Sequence, residues 1–280
     1  MHLAFAILAT PLIALAAVLG MSRSTSANKP AETRKEEIRV VPVAPTAESN
    51  TIMLAIVIPK ENERLSSNPI WVQFRIDGFA LGSDSSQFER ADEIARTNMG
   101  QTIHVVVDNE PYFSVNEPAL NQFNESGYYY NQSFKFEMPF SLKEGVHTIR
   151  MFPARSFGES LKGENTFRTS TFYVGNSDSG DQINFSKPFL TYNEPSDGMN
   201  LTDSQPILLD FLIANCELST DGYKVRLTID GKTNRMLTSW QPYYIYGLKK
   251  GKHKIRLELL NGNSKVSGPF SEADQTITVL

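Results

Sequence analysis

The sequence predicts an all-β protein: two tandem antiparallel β-sandwiches behind an N-terminal hydrophobic helix. Three observations carry this. From Thr51 onward the chain contains two copies of one pattern. Each matched segment alternates apolar and polar residues with period two, the signature of a half-buried strand. Turn chemistry such as Asp230-Gly231 and Asn261-Gly262 separates the segments at roughly 8–12 residue intervals, as in sandwiches, with no sustained helical period.

The N-terminal run Leu3–Leu19 is apolar except for Thr10 and Pro11. At about 1.5 Å per residue it falls slightly short of a ~30 Å hydrocarbon core. It reads as a secretory signal or a membrane anchor within residues 1–20, because a polar, charged stretch detaches it from the rest. Only His2 precedes the run as a basic side chain, and cleavage could follow Gly20 or Ala27. Arg23, Lys29, Arg34 and Lys35 lie on its C-terminal side, where the positive-inside tendency favours the cytoplasm, so orientation stays open. Residues 21–50 are expected to be a disordered linker, with Pro42 and Pro45 breaking the apolar patch at Val40 and Val41.

Module 1 is expected over residues 51–175 and module 2 over 186–280, with a linker at 176–185. Pro69-Ile70-Trp71-Val72-Gln73-Phe74-Arg75-Ile76 matches Pro206-Ile207-Leu208-Leu209-Asp210-Phe211-Leu212-Ile213 without a gap. Ile103, Val105, Val107 and Asp108 match Val225, Leu227, Ile229 and Asp230. Leu142-Lys143-x-Gly145-x-His147-x-Ile149-Arg150 matches Leu248-Lys249-x-Gly251-x-His253-x-Ile255-Arg256, and Phe172 and Val174 match Ile277 and Val279. Ile207, Leu209, Phe211 and Ile213 form one inward row, Val225, Leu227 and Ile229 a second, Ile255, Leu257 and Leu259 a third.

The Leu-x-x-Gly-x-His-x-Ile pattern at the start of a strand and the Ile-Asp-Gly hairpin resemble bacterial immunoglobulin-like or fibronectin-III-like envelope modules. Leu209-Asp210-Phe211 through Trp240-Gln241-Pro242-Tyr243 to Gly268-Pro269-Phe270 is also similar to exported bacterial proteins, some automatically labelled phosphopeptide-binding. The resemblance spans about residues 52–280, more closely in the second copy. It implies immunoglobulin-like sandwiches and a place in the cell envelope. It implies no particular activity, because such folds serve many roles.

Two insertions distinguish the first copy. Ser86-x-x-Glu89 is a capping-box signature, with Phe88, Ala91 and Ala95 on one helical face and Gly100 as a stop, so a short helix is expected across one end of the first sandwich. Between Phe113 and Ser133 a polar segment carries Tyr128-Tyr129-Tyr130, readable as a gripping loop or as an alternating strand.

Composition removes several classes of function. The 280 residues carry a net charge of −4, without the basic footprint of a nucleic-acid binder. A single cysteine, Cys216, excludes an intrachain disulfide framework, and four histidines leave little for a metal site. No nucleophile–base motif is present. His147 and His253 occupy equivalent inward positions just after a turn glycine, which suits a structural imidazole bonding a loop carbonyl better than a catalytic base. His104 sits at outward parity with no visible partner. Asn176-Ser177-Asp178-Ser179-Gly180-Asp181 has oxygen ligands for a hard cation but lacks the bidentate glutamate of an EF-hand, and reads as linker. No enzyme, cofactor or metal is expected.

One surface stands out as a candidate. Lys249, Lys250, Lys252, Lys254 and Arg256 cluster at one turn and the strand after it, with Trp240, Tyr243, Tyr244 and Tyr246 just upstream. Such a stripe is either a solvated strand face or a seat for a phosphate, an acidic glycan or an anionic membrane. The candidate ligand-binding residues are therefore Trp240, Tyr243, Tyr244, Lys249, Lys252, Lys254 and Arg256. The expected role is a non-catalytic, exported or membrane-anchored envelope protein with an envelope protein or glycan as partner and the membrane reached through its N-terminal helix. The second reading is a glycan- or phosphopeptide-binding module on the Trp240/lysine surface.

Overall fold

Period-two alternation becomes strand wherever one face can be buried, and in this chain it does so seventeen times among the described residues. A computed structural model describes residues 37–95, 97–116 and 133–280. The hydrophobic run within residues 1–20 and the Tyr128–Tyr130 insertion lie outside them. In chain order the strands are β1 (Arg39–Pro42), β2 (Met53–Ile58), β3 (Glu63–Leu65), β4 (Trp71–Asp77), β5 (Thr102–Val107), β6 (Phe113–Val115), β7 (Ser133–Glu137), β8 (Gly145–Ala154) and β9 (Arg168–Val174). There follow β10 (Phe189–Glu194), β11 (Asn200–Leu201), β12 (Ile207–Ala214), β13 (Lys224–Ile229), β14 (Lys232–Leu237), β15 (Tyr243–Tyr246), β16 (Gly251–Leu260) and β17 (Glu272–Val279). The one helix among the described residues, α1 (Arg90–Glu93), lies between β4 and β5.

The two copies share a topology. In the first, sheet β2-β4-β7 faces sheet β3-β9-β8-β5-β6; in the second, β15-β12-β10 faces β11-β17-β16-β13-β14. Each pair closes on an apolar core made of the predicted inward rows. Ile103, Val105, Ile149, Met151 and Phe172 meet Leu54, Val72, Phe74 and Ile76 in the first. Val225, Leu227, Ile255 and Leu257 meet Leu209, Phe211, Tyr243 and Ile245 in the second. Fully burying each such side chain stabilises by about 1.5–3 kcal/mol.

The expected spacer at 21–50 is corrected at its end. β1 pairs antiparallel with β15, Val40 opposite Ile245, and so becomes a fourth strand of a second-copy sheet. The reason is an open edge: β15 offers unpaired backbone groups, and Val40 reaches the core with only 5% of its surface exposed. The chain then crosses to the first copy as a strap. The Val43 N–H donates to the Pro242 carbonyl (3.0 Å). The Thr46 N–H donates to Glu159 (2.7 Å), and Glu48 accepts from the N–H groups of Lys162 and Gly163.

The short helix also differs from its expectation. Its N-cap is Glu89, not Ser86, and no side chain caps it. Ala91 and Ile94 are buried together with Phe157 of the first copy and Leu208 and Tyr244 of the second, so α1 packs into the join between copies rather than across a free end. That contact outweighs the missing cap because tertiary burial, not propensity, holds so short a helix.

Candidate functional site

The sheets stack four deep. The outer face of β5 and β8 packs on the outer face of β10 and β12, so these strands are buried on both sides. Val106 and Phe152 of the first copy meet Leu212 of the second, and Phe167 lies 5.9 Å from Phe189, ring centre to ring centre. The seam is therefore sheet on sheet, and its middle is polar.

Asp210 sits at outward parity on β12 and is fully buried. It accepts hydrogen bonds from Ser160 N (3.0 Å), Ser160 Oγ (2.5 Å), Lys162 Nζ (2.5 Å) and Asn193 Nδ2 (2.7 Å). Asn193 Nδ2 also donates to the Gly158 carbonyl, which fixes the amide so that its Oδ1 faces His104 Nδ1 at 2.7 Å. Nδ1 of His104 must then carry the proton. Burial pulls the His104 pKa down to about 4, so the ring stays neutral, stacked on Tyr112 at 3.8 Å. The Tyr112 hydroxyl donates to Glu194 Oε1 (2.5 Å), and burial pushes the Glu194 carboxyl up to about 8. Arg150, 1% exposed, donates to the Leu190 carbonyl, Thr191 Oγ1 and the Asp108 carbonyl across and beside the seam; burial lowers it to about 9. Under the strap, Arg90 pairs with Glu159 at 2.5 Å and also donates to the Ala44 carbonyl.

Could this cluster do chemistry? Lys162 Nζ lies 3.0 Å from Ser160 Oγ, a nucleophile–base spacing. Yet the same ammonium is held by Asp210, the Ser160 hydroxyl donates to that carboxylate, and Ser160 is 1% exposed. The lone pair and the access that a nucleophile needs are both taken. The cluster is a structural clamp.

The predicted histidines are clamps as well, built twice. His147 Nδ1 lies 3.0 Å from Asp108 and its Nε2 2.8 Å from the Lys143 carbonyl. His253 repeats this with Asp230 (2.7 Å) and the Lys249 carbonyl (2.6 Å). Asp108 and Asp230 both adopt positive φ and accept from the Thr148 and Lys254 N–H groups on the paired strands β8 and β16. The Asp108 bond holds the His147 pKa above its usual value. At His253, bonds to Lys249 and Asp230 outweigh the opposing effect of burial and raise it too. Each imidazole uses both nitrogens.

The candidate binding surface does not assemble. Tyr243 points into the second core, 3% exposed. Tyr244 points the other way into the seam, where its hydroxyl donates to Glu93 at 2.5 Å. Trp240 precedes β15, 38% exposed, its indole donating to the Phe211 carbonyl at 3.0 Å. Lys252, Lys254 and Arg256 lie on the outer face of β16, in the opposite sheet. There Lys254 pairs with Asp274 at 2.8 Å, and Arg256 with Glu272 and Asp274. Alternation sends neighbours to opposite faces, so closeness in sequence separated these groups. Lys249 stands at the turn beyond the far end of β15, exposed.

Sequence reasoning missed Asp210, Asn193, Glu194, Arg150 and Lys162. A signal existed: on β5 and β8 the outward residues His104, Val106 and Phe152 stand where the second copy has Arg226, Thr228 and Glu258. An outward row that turns apolar in one copy only marks a covered face. Asp178 of the 176–181 segment pairs with Arg64, and the Ser179 carbonyl accepts from Val146 N (2.7 Å). Among the described residues no cluster of three or more metal-ligating side chains occurs.

No family model and no curated protein matches the chain. Solved structures similar to it include fibronectin(III)-like modules of Clostridium thermocellum CbhA (12% identity, 81% of this chain, 94% of that one, TM-score 0.26). SGBP-B from a mixed-linkage glucan utilization locus of Bacteroides ovatus, in complex with a mixed-linkage heptasaccharide, is similar at 12% identity over 81% of this chain and 47% of that one, TM-score 0.20. Latent PorU of Porphyromonas gingivalis is similar at 13% identity over 84% and 21%, TM-score 0.27. At TM-scores this low the likenesses bear on nothing this chain does; its sandwich architecture stands on its own sheets.

Proposed function

We propose that this chain is a non-catalytic, exported or membrane-tethered envelope protein that works as an interaction module. The observation that carries the reading is the seam. Among the described residues His104, Ser160, Lys162 and Asp210 are consumed there, and closing it joins two sandwiches into one stack whose two outermost sheet faces stay free. One of these, on β2-β4-β7, presents Trp71 (43% exposed) and Met53 (45% exposed), with Lys135 Nζ 4.7 Å above the indole ring. The other is the charge-paired face of β16 and β17. An exposed tryptophan beside polar neighbours suits an envelope protein or a glycan as partner.

The test is photo-crosslinking in intact cells, with a photoreactive residue placed at Trp71, at Met53 or at buried Leu212. Adducts with an envelope protein or glycan are expected from the two outer positions and none from Leu212. Absence of any adduct from the outer face, in cells where the protein is folded, sinks the reading.

A further inference from the structure

The basic stripe splits into two halves with different surroundings. Lys254 and Arg256 are neutralised by Asp274 and Glu272 on the neighbouring strand. Lys249 and Lys250 at the β15–β16 turn and Lys252 at the start of β16 are exposed, and among the described residues no hydrogen bond or ion pair holds the ammonium of Lys249 or Lys252. Lys250 lies only within 3.9 Å of Asp203, both largely solvated, a pair worth little. Asp203, Glu37 and Asp230 are among the acids near this tip, and Asp230 is committed to His253.

This same tip is where the N-terminal segment reaches the folded body. β1 runs antiparallel to β15 with Arg39 opposite Tyr246, so the chain arrives beside Gly247 and Leu248. The Glu37 carbonyl lies 3.0 Å from the point where a Cβ on Gly247 would stand. The pairing hands the N-terminal segment to the lysine turn.

We propose that the turn carrying Lys249, Lys250 and Lys252 is a docking surface for an anionic membrane, engaged because the N-terminal segment delivers the body to the bilayer by this end. The proposal rests on the membrane-tethered reading above. Residues 20–36, seventeen in number, separate the apolar run from Glu37, so even fully extended they hold the tip within about 60 Å of the bilayer. Three lysines bind an anionic surface weakly when free, about fivefold each. Tethering turns that second contact into an intramolecular one, where weak attraction is enough to set orientation. With the tip down, Lys252 brings only the start of the β16 outer face to the bilayer, and Trp71 and Met53 lie on the other outer sheet.

The experiment uses the full chain with vesicles of phosphatidylcholine alone or mixed with phosphatidylglycerol. Flotation reads attachment, and amine-reactive footprinting by mass spectrometry reads which lysines are covered. The expected result is attachment to both vesicles, with labelling of Lys249, Lys250 and Lys252 slowed severalfold only on the anionic ones. Labelling of Lys265 should not change, and high salt or K249Q/K250Q/K252Q should abolish the difference while attachment persists. Attachment to both vesicles without differential protection overturns the docking surface and leaves the tether reading standing. Attachment only to anionic vesicles, with the three lysines covered, supports the docking surface and defeats the tether reading. Attachment to neither defeats both. Equal protection by inorganic phosphate without vesicles assigns the site to a soluble anion and overturns the membrane.

Discussion

Replacing Asp210 with alanine tests whether the buried seam network joins the two sandwiches. The substitution removes acceptors for Ser160 N, Ser160 Oγ, Lys162 Nζ and Asn193 Nδ2, all within 2.5–3.0 Å. Asn193 keeps the Gly158 carbonyl, and Lys162 keeps the Ser160 carbonyl at 3.2 Å. The Lys162 side chain is only 9% exposed, so its charge is left nearly dry. Breaking a buried pair from one side costs about 3–5 kcal/mol. An expected loss of about 4 kcal/mol is a large share of the roughly 5–15 kcal/mol that holds a typical domain. Urea denaturation followed by circular dichroism measures it, and a single transition should separate into two as the copies uncouple. The companion Asp210→Leu/Lys162→Met removes both charges and should recover most of the loss, since an apolar replacement of a buried pair is often neutral. A loss below about 1 kcal/mol for Asp210→Ala, or a double variant no more stable than the single, would refute the argument.

Three further outcomes are expected. His147→Gln and His253→Gln should each lower stability, more at pH 5.5 than at pH 9. Their folded pKa values lie above the unfolded one, so their contribution is complete below about 6.5 and fades as pH rises through the raised value; equal losses at both pH values in thermal melts argue against the Asp108 and Asp230 clamps. Glu194, with a folded pKa of about 8 against 4.5, contributes stability that is complete below about 4.5 and lost as pH rises to about 8, so between pH 6.5 and 8 wild-type stability should fall more steeply than that of Glu194→Gln; parallel profiles contradict its burial as the neutral acid. Val40→Asp should expose the β15 edge, raising hydrogen exchange at its amides and costing about 2–3 kcal/mol; unchanged exchange there means β1 is not docked.

The strands were legible because their causes are local, and the clamps because they are built twice. Asp108 and His147, 39 residues apart, meet across the paired strands β5 and β8, and Asp230 and His253 meet in the same way across β13 and β16, so the matched positions of the two copies mark the histidines as structural. The candidate surface failed for an equally definite reason. Tyr243, Tyr244 and Lys249 are neighbours along the chain, but alternation and the turn after β15 send them to the core, the seam and the tip.

The sequence by itself determined two copies of one sandwich, their inward rows and the turns between their strands, because periodicity and turn chemistry act over a few residues. Only the tertiary structure decided that Arg150 is buried while its counterpart Arg256 stays half-exposed and paired with Glu272. It alone decided that Val40 completes a sheet of the distant copy, and that Asp210 and Lys162 meet. These outcomes depend on which outer face another sheet covers. A pattern within one strand tells inside from outside of its own sandwich, and says nothing of a second sheet arriving from elsewhere in the chain.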